Sequence, residues 1–269
     1  MELTICSANL RNANADDGND SWPHRHHLLV HTLNELNADV IGVQEAMQIQ
    51  VDWLTQSFPS HTITPGLPYG NHAPHEYAAI AWRSTLFTVH QHGGFHLSET
   101  PDRPSRSWDT SWMRVATWMH VTHIPSQMQL CLCNTHLDHR GEESRRQAIH
   151  VIARQLQQFA HLPTFITGDF NIAPDSDVHA ALCGYGFEDS WTAAGHADGA
   201  GVMSFHGFKG VEWPALSGER DDNRIDWIVL RDPTQRIRVQ HAAIVTRRGA
   251  DGRFPSDHYP VVATYHINA

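Results

Sequence analysis

Short apolar segments alternate with polar turns along the whole chain, and the turns are rich in glycine, proline and asparagine. The apolar segments carry valine, isoleucine, threonine and aromatic residues, which favour extended backbone. They are also short, as strands usually are, rather than of helical length. We therefore predict strands at 3–8, 39–44, 78–83, 86–90, 115–123, 128–135, 164–168, 225–230, 237–245 and 260–267.

Helical periodicity stands out in fewer and longer segments. In the most regular of them, Ile149, Ile152 and Leu156 recur at the spacing of three and four residues that places side chains on one face of a helix. The same segment begins with acidic residues and carries arginines further on, an order that suits the helix dipole. We predict helices at 24–37, 46–57 and 141–160.

The order of these elements predicts the fold class. Strands outnumber helices, and they occur both in βα alternation and in hairpin-like pairs such as residues 115–135. This mixture favours an α/β sandwich of mixed sheets with helices outside, rather than one parallel doubly wound sheet. No linker or repeat divides the chain, so residues 1–269 are predicted to form one domain. Three long loop-like segments, 58–77, 91–113 and 188–223, are candidates for a functional role.

The composition limits the classes of function. The 269 residues are 41% hydrophobic, which is enough for a large core. No apolar run is long enough to cross a membrane, and the first residues, MELTICSANLR, lack the basic and apolar blocks of a signal peptide. We therefore expect a cytoplasmic protein, a monomer without a membrane partner. Its formal net charge of −10 disfavours prolonged tracking along a nucleic acid.

The four cysteines form no CxxC pair, which a zinc site would need. Cys131 and Cys133 alternate along a predicted strand, so both side chains should lie on the same face of a sheet. We predict buried, reduced thiols rather than a metal site.

Polar side chains stand at or near the ends of several predicted strands. Each of them alone has an ordinary explanation as a turn residue or an acid at a helix terminus. Asp226 is less ordinary, because it lies within an apolar strand pattern, where an unpaired carboxylate is expensive. Together the set offers oxygen ligands for a divalent cation and a histidine near carboxylates. Its members are Asn9, Glu45, His136, Asp169, Asn171, Asp226, Asp257 and His258.

Six segments that contain these residues follow one another as SANLR, VIGVQE, NTHLDH, GDFN, RIDWI and SDHYPV. In this order they resemble the signature segments of the endonuclease/exonuclease/phosphatase superfamily, which includes DNase I-like nucleases, exonuclease III-like repair enzymes, neutral sphingomyelinases, inositol polyphosphate 5-phosphatases and deadenylases. One segment alone is weak evidence, whereas all six in sequence are highly specific. The segment RSWDTSWMRVATW is similar to bacterial members near the nocturnin-like deadenylase branch.

The resemblance implies a four-layer sandwich, in which two packed mixed β-sheets are flanked by helices and the site lies at one rim. It implies that Mg²⁺, with Mn²⁺ as a possible substitute, is bound chiefly by Glu45, with Asn9 nearby and Asp257 completing the site. The other implied roles are orientation of the attacking water or a second metal for Asp169 and Asn171, base or phosphate contact for His258 with Asp226 as its partner, and contact with the scissile phosphate for His136.

The chemistry of such a site follows from its residue types. Mg²⁺ prefers oxygen ligands, and it neutralises the phosphate oxygens that otherwise repel a nucleophile. An imidazole oriented by a carboxylate is a stronger base, or it holds a proton that binds the phosphate. Spacing leaves open whether His258 or Asp169 takes the proton from water, and whether one or two metal ions act. We predict that both residues are essential.

Further candidates for substrate binding lie in or beside the long loops. Glu76, in HEYAAIAWR, is either a site residue that contacts phosphate-linked water or the histidine, or an exposed loop acid. Arg106 and Arg114 are candidates for substrate phosphates, since a guanidinium group matches a phosphate geometrically. His206, in MSFHGFKG, is a candidate contact at the rim.

Two tryptophans of the same region have two interpretations. Trp108 and Trp112 can stack on a base or sugar of the substrate, and core packing is expected for at least one of them.

The predicted function is Mg²⁺-dependent hydrolysis of a phosphodiester or phosphomonoester, in a phosphorylated small molecule or a single-stranded nucleic acid. A DNA repair or degradative nuclease is the first alternative, and the acidic charge weighs against it. A noncatalytic protein that binds a phosphorylated ligand on the same scaffold is the second. The complete set of polar residues weighs against that one.

Overall fold

The apolar segments pair into two β-sheets in the computed structural model, which describes residues 1–218 and 224–268. In the first sheet the order is β12-β13-β1-β2-β5-β3, with β4 also paired to β5. Strands β1 and β2 are parallel, and the other neighbours are antiparallel. The strands of this sheet are β1 (Glu2–Asn9), β2 (Val40–Met47), β3 (His61–Thr64), β4 (Pro68–Tyr69), β5 (Glu76–Arg83), β12 (Ile237–Ile244) and β13 (Val261–Ile267).

The second sheet has the order β10-β11-β9-β8-β7-β6. Strands β8 and β9 are its parallel pair, and the remaining neighbours are antiparallel. Its strands are β6 (Phe87–His96), β7 (Val115–His123), β8 (Met128–His136), β9 (Thr164–Asp169), β10 (Glu188–Asp189) and β11 (Asp226–Arg231). Both sheets are therefore mixed, as the βα and hairpin patterns predict.

Helices cover the outer faces of the two sheets. Helices α1 and α2 pack on the first sheet, and α3 and α4 pack on the second. A third apolar layer lies between the sheets. The four-layer α/β sandwich is thereby confirmed. The helices are α1 (Trp22–Leu36), α2 (Gln48–Ser57), α3 (Glu142–Gln155), α4 (Asp177–Gly184), α5 (Ser190–Ala193) and α6 (Trp213–Ser217).

The alternation along β8 divides its side chains between two layers of core. Leu130 and Leu132 lie between the sheets, whereas Cys131 and Cys133 lie beneath α3. Both thiols, like that of Cys6, are buried and free, as predicted, whereas Cys183 is free but exposed, so the prediction of burial is wrong for that residue. Burial raises the pKa of the Cys131 and Cys133 thiols above the ordinary value, so both stay protonated.

Hydrogen bonds also join the two sheets, close to the ends of β2, β8 and β9. The amide of Asn134 donates to the carbonyl of Val43 at 2.8 Å, and its Oδ1 accepts from Gln44 Nε2 at 2.7 Å and from Thr167 Oγ1 at 3.0 Å. Gly42 lies against this group: a Cβ atom there would come within 2.0 Å of Thr167 Oγ1. These five residues are called the inter-sheet polar cluster.

Several boundaries differ from the sequence prediction. Strand β2 extends to Met47, so α2 begins at Gln48 rather than at residue 46. The predicted loop 58–77 contains β3 and β4, whose four and two residues are too few to show a clear periodic signal. The end of the predicted loop 188–223, from residue 219, lies outside the described residues, as does residue 269. Within the described part of the chain, no helix has the length and apolar character needed to span a bilayer.

Candidate active site

The two-residue period of the strands explains why polar side chains meet at one edge. In β1, Asn9 shares a face with Leu3 and Ile5, and that face is directed between the sheets. In β9, Asp169 shares its face with Phe165 in the same way. The apolar layer between the sheets therefore ends in polar side chains at the ends of the strands.

The pairing register aligns three of these side chains across the second sheet. Asp169 is directly opposite His136 in the parallel pair with β8, and directly opposite Asp226 in the antiparallel pair with β11. All three are nearly inaccessible to solvent. A buried row of two carboxylates and an imidazole needs partners, and the neighbouring loops supply them.

Glu45 reaches the site through an irregularity of β2. The register shifts between Val43 and Ala46, and Glu45 has a φ of +56°, which is unusual for a residue with a side chain. Its backbone N–H donates to the hydroxyl of Tyr69 at 3.0 Å, and its Oε2 accepts from the backbone of Asn12 at 3.0 Å. The bulge thus turns the carboxylate into the space between the sheets.

The amide of Asn9 connects carboxylates from the two sheets. Its Nδ2 donates to Glu45 Oε1 at 3.1 Å and to Asp169 Oδ2 at 2.9 Å. Burial disfavours ionisation of Glu45, but the charges of His258 and Arg11 and the hydrogen bonds from the asparagines outweigh it, so the pKa of Glu45 lies below its ordinary value. Glu45 is therefore a carboxylate at neutral pH.

His258 forms a buried pair with Asp226. Its Nδ1 lies 2.8 Å from Asp226 Oδ2, and its Nε2 lies 3.8 Å from Asp169 Oδ2 and 4.0 Å from Asp257 Oδ1. Burial lowers the pKa of His258, but the three carboxylates, Asp226 foremost, outweigh it and raise that pKa to about 10. The imidazole is therefore protonated, and its Nε2–H lies near the other two carboxylates without a hydrogen bond to either.

The loop before β13 is held in place by backbone contacts. Ser256 Oγ donates to the carbonyl of Asn9 at 2.7 Å. The carbonyl of Asp257 accepts from the backbone N–H groups of His206 at 2.9 Å and Gly207 at 3.1 Å. Phe205 forms an isolated β-bridge with His258 and packs its ring against the imidazole. The position of the imidazole is therefore fixed by the preceding loop and by the segment around residue 206.

His136 has a different environment. Its Nδ1 lies 3.1 Å from the hydroxyl of Tyr69, and its Nε2 accepts from Asn171 Nδ2 at 2.9 Å. Burial, together with the charges of Arg114 and His258, lowers the pKa of His136 well below its ordinary value. The ring is neutral, and with Nε2 as acceptor its proton lies on Nδ1.

Asn171 owes its reach to a turn after β9. Its φ is +53°, and its backbone N–H donates to Asp169 Oδ1 at 2.9 Å. Its amide also donates to the carbonyl of Leu137 at 3.0 Å. The Asp-Phe-Asn sequence is thus an Asx turn in the local sense, and it also directs both polar side chains into the site.

Two groups of side chains bring possible metal-ligand atoms within 4.8 Å of one another. The first contains Glu45, His136 and Asp169, and the second contains Asp169, Asp226 and His258. Burial, with Asp226 next, raises the pKa of Asp169 to about 7 against the opposing charge of His258. The site brings the acidic side chains of Glu45, Asp169, Asp226 and Asp257 together around the imidazolium of His258. A divalent cation with a preference for oxygen would offset this surplus of acidic groups, so the residues fit such an ion.

Four of the five residues in the two possible metal-ligand groups line a cavity of about 630 Å³, and Asp226 is buried outside its lining. Glu76 and Arg114 both line it. Glu76 is the first residue of β5 rather than a loop residue, and burial and the charge of Glu45 raise its pKa to about 7. The guanidinium group of Arg114 lies over the ring of Tyr69, 5.6 Å from its centroid.

Two candidates for substrate binding lie elsewhere. Arg106 is exposed and borders a separate depression beside Asn71 and His72. His206 is fully buried, with its ring stacked on that of Tyr259 at 4.0 Å, so it offers no surface to the cavity. The backbone of His206, rather than its side chain, supports the site.

The two tryptophans have different positions. Trp108 packs against the core beneath α3, whereas Trp112 is 42% exposed and lines the cavity.

Several residues in or beside the site were not predicted from the sequence. Tyr69 lies in a two-residue strand with no periodic signal. Arg11 lines the cavity, and its Nε lies 3.6 Å from Asp257. Asp138 is buried and binds two loops by hydrogen bonds. Arg11 and Asp138 lie in the segments SANLR and NTHLDH, so the resemblance of those segments to the family could have identified both residues as candidates.

A four-layer sandwich with a carboxylate cluster and a histidine–aspartate pair at one edge is the architecture of the DNase I-like class. The model of the Endonuclease/Exonuclease/phosphatase family matches residues 6–258, and the chain belongs to that family. Members of this family are hydrolases of phosphoester bonds. Among curated proteins, no significant match is found.

Solved structures of similar proteins cover the whole fold. A family protein from Bacteroides thetaiotaomicron is 26% identical, with a TM-score of 0.88 and coverage of 100% of this chain and 99% of the other. The mannosyl-6-phosphatase Bt3783 of the same organism is 26% identical, with a TM-score of 0.86 and coverage of 98% and 100%. The human nocturnin catalytic domain, at 17% identity and a TM-score of 0.77 over 99% and 94% of the chains, shares the fold.

Proposed function

We propose that this protein is a phosphoesterase that depends on Mg²⁺ or Mn²⁺ and hydrolyses a phosphomonoester or phosphodiester of a small molecule. The observation that carries the proposal is that two buried arrangements of side chains meet at one cavity. One is the pair of His258 and Asp226, and the other is the carboxylate group around Glu45 and Asp169.

Glu45, Asn9 and Asp257 are the residues that would hold the metal ion. When bound, the ion would neutralise charge on the phosphate oxygens. Asn9 Nδ2 donates to the carboxylates, and its Oδ1 accepts the backbone N–H of Arg11 at 2.9 Å. In this orientation the amide holds the carboxylates in place, and its oxygen would reach the ion only after the amide turns over.

The two protonation states assign different roles to Asp169 and His258. His258 carries a proton on Nε2, so it acts as a hydrogen-bond donor to a phosphate oxygen. Asp226 stabilises that charge through Nδ1. Asp169, with a pKa near 7, is suited to accept a proton from the attacking water. Asn171 positions that carboxylate through its backbone N–H.

The size of the cavity and the charge of the chain support a small substrate. A volume of about 630 Å³ lies in the range of ordinary small-molecule sites. The net charge of −10 opposes a polyanionic polymer. The similarity to a mannosyl-6-phosphatase makes sugar phosphates the first substrates to test.

The test is a turnover panel with Mg²⁺, Mn²⁺ or a chelator, in which released phosphate or product is measured. The panel contains mannose 6-phosphate, bis(p-nitrophenyl) phosphate, nucleotides, oligo(A) and abasic DNA. His258→Ala is run beside wild type, and His92→Ala, which removes an exposed imidazole of β6, is the matched control.

We expect metal-dependent turnover by wild type and by His92→Ala, and loss of turnover in His258→Ala. Cleavage of abasic DNA alone would favour the nuclease alternative. Equal inactivity of wild type and His258→Ala on every ester would favour a binding protein and end the proposal.

A further inference from the structure

Asp138 joins two loops through a single buried carboxylate. Its Oδ2 accepts the backbone N–H groups of Ser111 and Trp112, both at 3.0 Å. Its Oδ1 accepts those of Arg140 at 3.0 Å and Gly141 at 2.7 Å. The hydroxyl of Ser111 adds a further bond at 2.8 Å. Burial opposes ionisation, but these bonds hold the pKa of Asp138 well below its usual range.

The loops that Asp138 joins carry four side chains into the cavity. Trp112, Arg114, His139 and Arg140 all line it, and together they are called the recognition wall. None of the four has a role in the proposed chemistry. Asp138 itself does not line the cavity.

The recognition wall combines an apolar surface with hydrogen-bond donors. The indole of Trp112 is 42% exposed, which is unusual for so large an apolar group. Arg114 is buried, and its Nη2 lies 3.3 Å from His139 Nδ1. Its Nε forms a long ion pair with Asp138 Oδ2 at 3.9 Å but has no hydrogen-bond partner in the described part of the chain. A buried donor without a hydrogen-bond acceptor, beside an open apolar face, indicates a ligand that offers both an acceptor oxygen and an apolar surface.

We propose that the recognition wall binds the leaving group of the substrate, and that this group is a polyhydroxylated ring, a pyranose. Trp112 would receive the C–H face of the ring, and Arg114 and Arg140 would bind its hydroxyl oxygens. Asp138 is a positioning residue, because it acts through the loops that it joins and through its ion pair with Arg114. The inference rests on the proposed phosphoesterase function and specifies the substrate class for it.

The kinetic test compares two monoesters whose leaving groups differ in shape. Mannose 6-phosphate carries a pyranose, and glycerol 3-phosphate carries an acyclic alcohol. For Trp112→Ala we expect KM for mannose 6-phosphate to rise roughly tenfold, since a lost contact in a binding pocket commonly has an effect of that size. KM for glycerol 3-phosphate should change less than twofold, and kcat should be retained with both. Trp112→Phe should restore most of the loss.

Controls separate recognition from folding. Ile49→Ala removes an exposed apolar side chain of α2 that does not line the cavity, and it should leave both substrates unchanged. Equal losses on the two substrates in Trp112→Ala, or no loss on either, would overturn the proposal. A larger loss on uridine monophosphate than on mannose 6-phosphate would overturn the assignment to a sugar.

The positioning role of Asp138 has its own matched control. Asp109 accepts the backbone N–H groups of Glu143 and Ser144 at the start of α3, so Asp109→Asn removes a similar carboxylate from the same region. We expect Asp138→Asn to raise KM selectively for mannose 6-phosphate, and Asp109→Asn to change stability without that selectivity. Identical kinetics of the two variants would show that Asp138 has only a structural role.

A binding measurement distinguishes failure of this inference from failure of the proposed function. If wild type hydrolyses none of the esters, calorimetric titration with mannose 6-phosphate compares wild type with Trp112→Ala. Weaker binding by Trp112→Ala than by wild type would support the proposed role of the recognition wall, while the absence of turnover would reject the proposed phosphoesterase function. Equal binding, or no binding to either, would reject the recognition wall.

Discussion

The surroundings of His258 and His136 differ in one respect that decides their chemistry. Both imidazoles are almost fully buried in the same cavity, and burial lowers the pKa of each. His258 lies beside three carboxylates, with Asp226 the nearest, and is protonated. His136 Nε2 also lies 3.4 Å from Asp169 Oδ2, but the positive charges of Arg114 and His258 act on this ring, and it is neutral. Neighbouring charge, rather than depth, therefore determines which histidine can offer a positive charge to a phosphate.

Replacement of each histidine by alanine should lower kcat to very different extents, and this is the largest effect that we expect. We expect His258→Ala to lower kcat about 10³-fold, since it removes both a charge and a proton donor. His136→Ala should lower kcat only about tenfold, because it removes a neutral side chain. Steady-state rates on the best ester of the panel measure both. A loss in His136→Ala as large as that in His258→Ala would contradict the distinction.

Removal of the carboxylate beside His258 should make the two histidines more alike. Asp226→Asn keeps the shape of the side chain but not its charge, so the pKa of His258 should fall. We expect kcat to fall about 10²-fold, within the usual range for groups that act on proton transfer. Nuclear magnetic resonance of the imidazole nitrogens measures the pKa. An unchanged titration of His258 would show that Asp226 is not its main electrostatic partner.

The raised pKa of His258 predicts how the metal-free protein responds to pH. A histidine whose folded pKa exceeds its unfolded value stabilises the fold fully below the unfolded pKa, near 6.5. That contribution is lost as the pH rises through about 10. With a chelator present, the urea midpoint of wild type should fall between pH 6.5 and 10. Asp226→Asn should show a flatter dependence over that range, and equal slopes would count against the pair.

The smallest expected effect concerns Tyr69, whose hydroxyl contacts the neutral imidazole of His136. Tyr69→Phe removes the hydroxyl that meets both His136 and the backbone of Glu45, so two buried groups lose a partner. We expect a loss of about 1–3 kcal/mol in the free energy of unfolding and a fall in kcat of a few fold. Tyr265→Phe, which breaks a buried bond to Ser190, is the matched control. It should destabilise the protein without any effect on kcat.

Much of the fold was predictable because strand periodicity is a local property. The strands around Ile5, Leu132 and Phe165 show their alternation in the sequence itself, and the layers of core follow from it. The polar strand ends were visible for the same reason. Their convergence at one cavity came from the family resemblance, because no spacing within the chain relates Asn9 to Asp257.

What the sequence did not show depends on contacts between distant segments. Glu45 enters the site through a bulge whose positive φ no neighbouring glycine announces. His206 is a polar residue in a long predicted loop, which suggested a position at the rim, but its ring packs against those of Phe254 and Tyr259 and is buried. In the sequence, Asp138 is indistinguishable from an ordinary acidic loop residue. Its role depends on the loop at residues 110–112, which is distant in sequence and donates hydrogen bonds to it.

The inter-sheet polar cluster has a consequence for the spacing of the carboxylates. Apolar layers can slip slightly past one another, but the directional bonds of Asn134 and the tight approach of Gly42 fix the gap between the sheets beside the site. Glu45 and Asp169 face each other across that gap, linked by one amide. The separation of the two carboxylates therefore depends on residues that do not line the cavity.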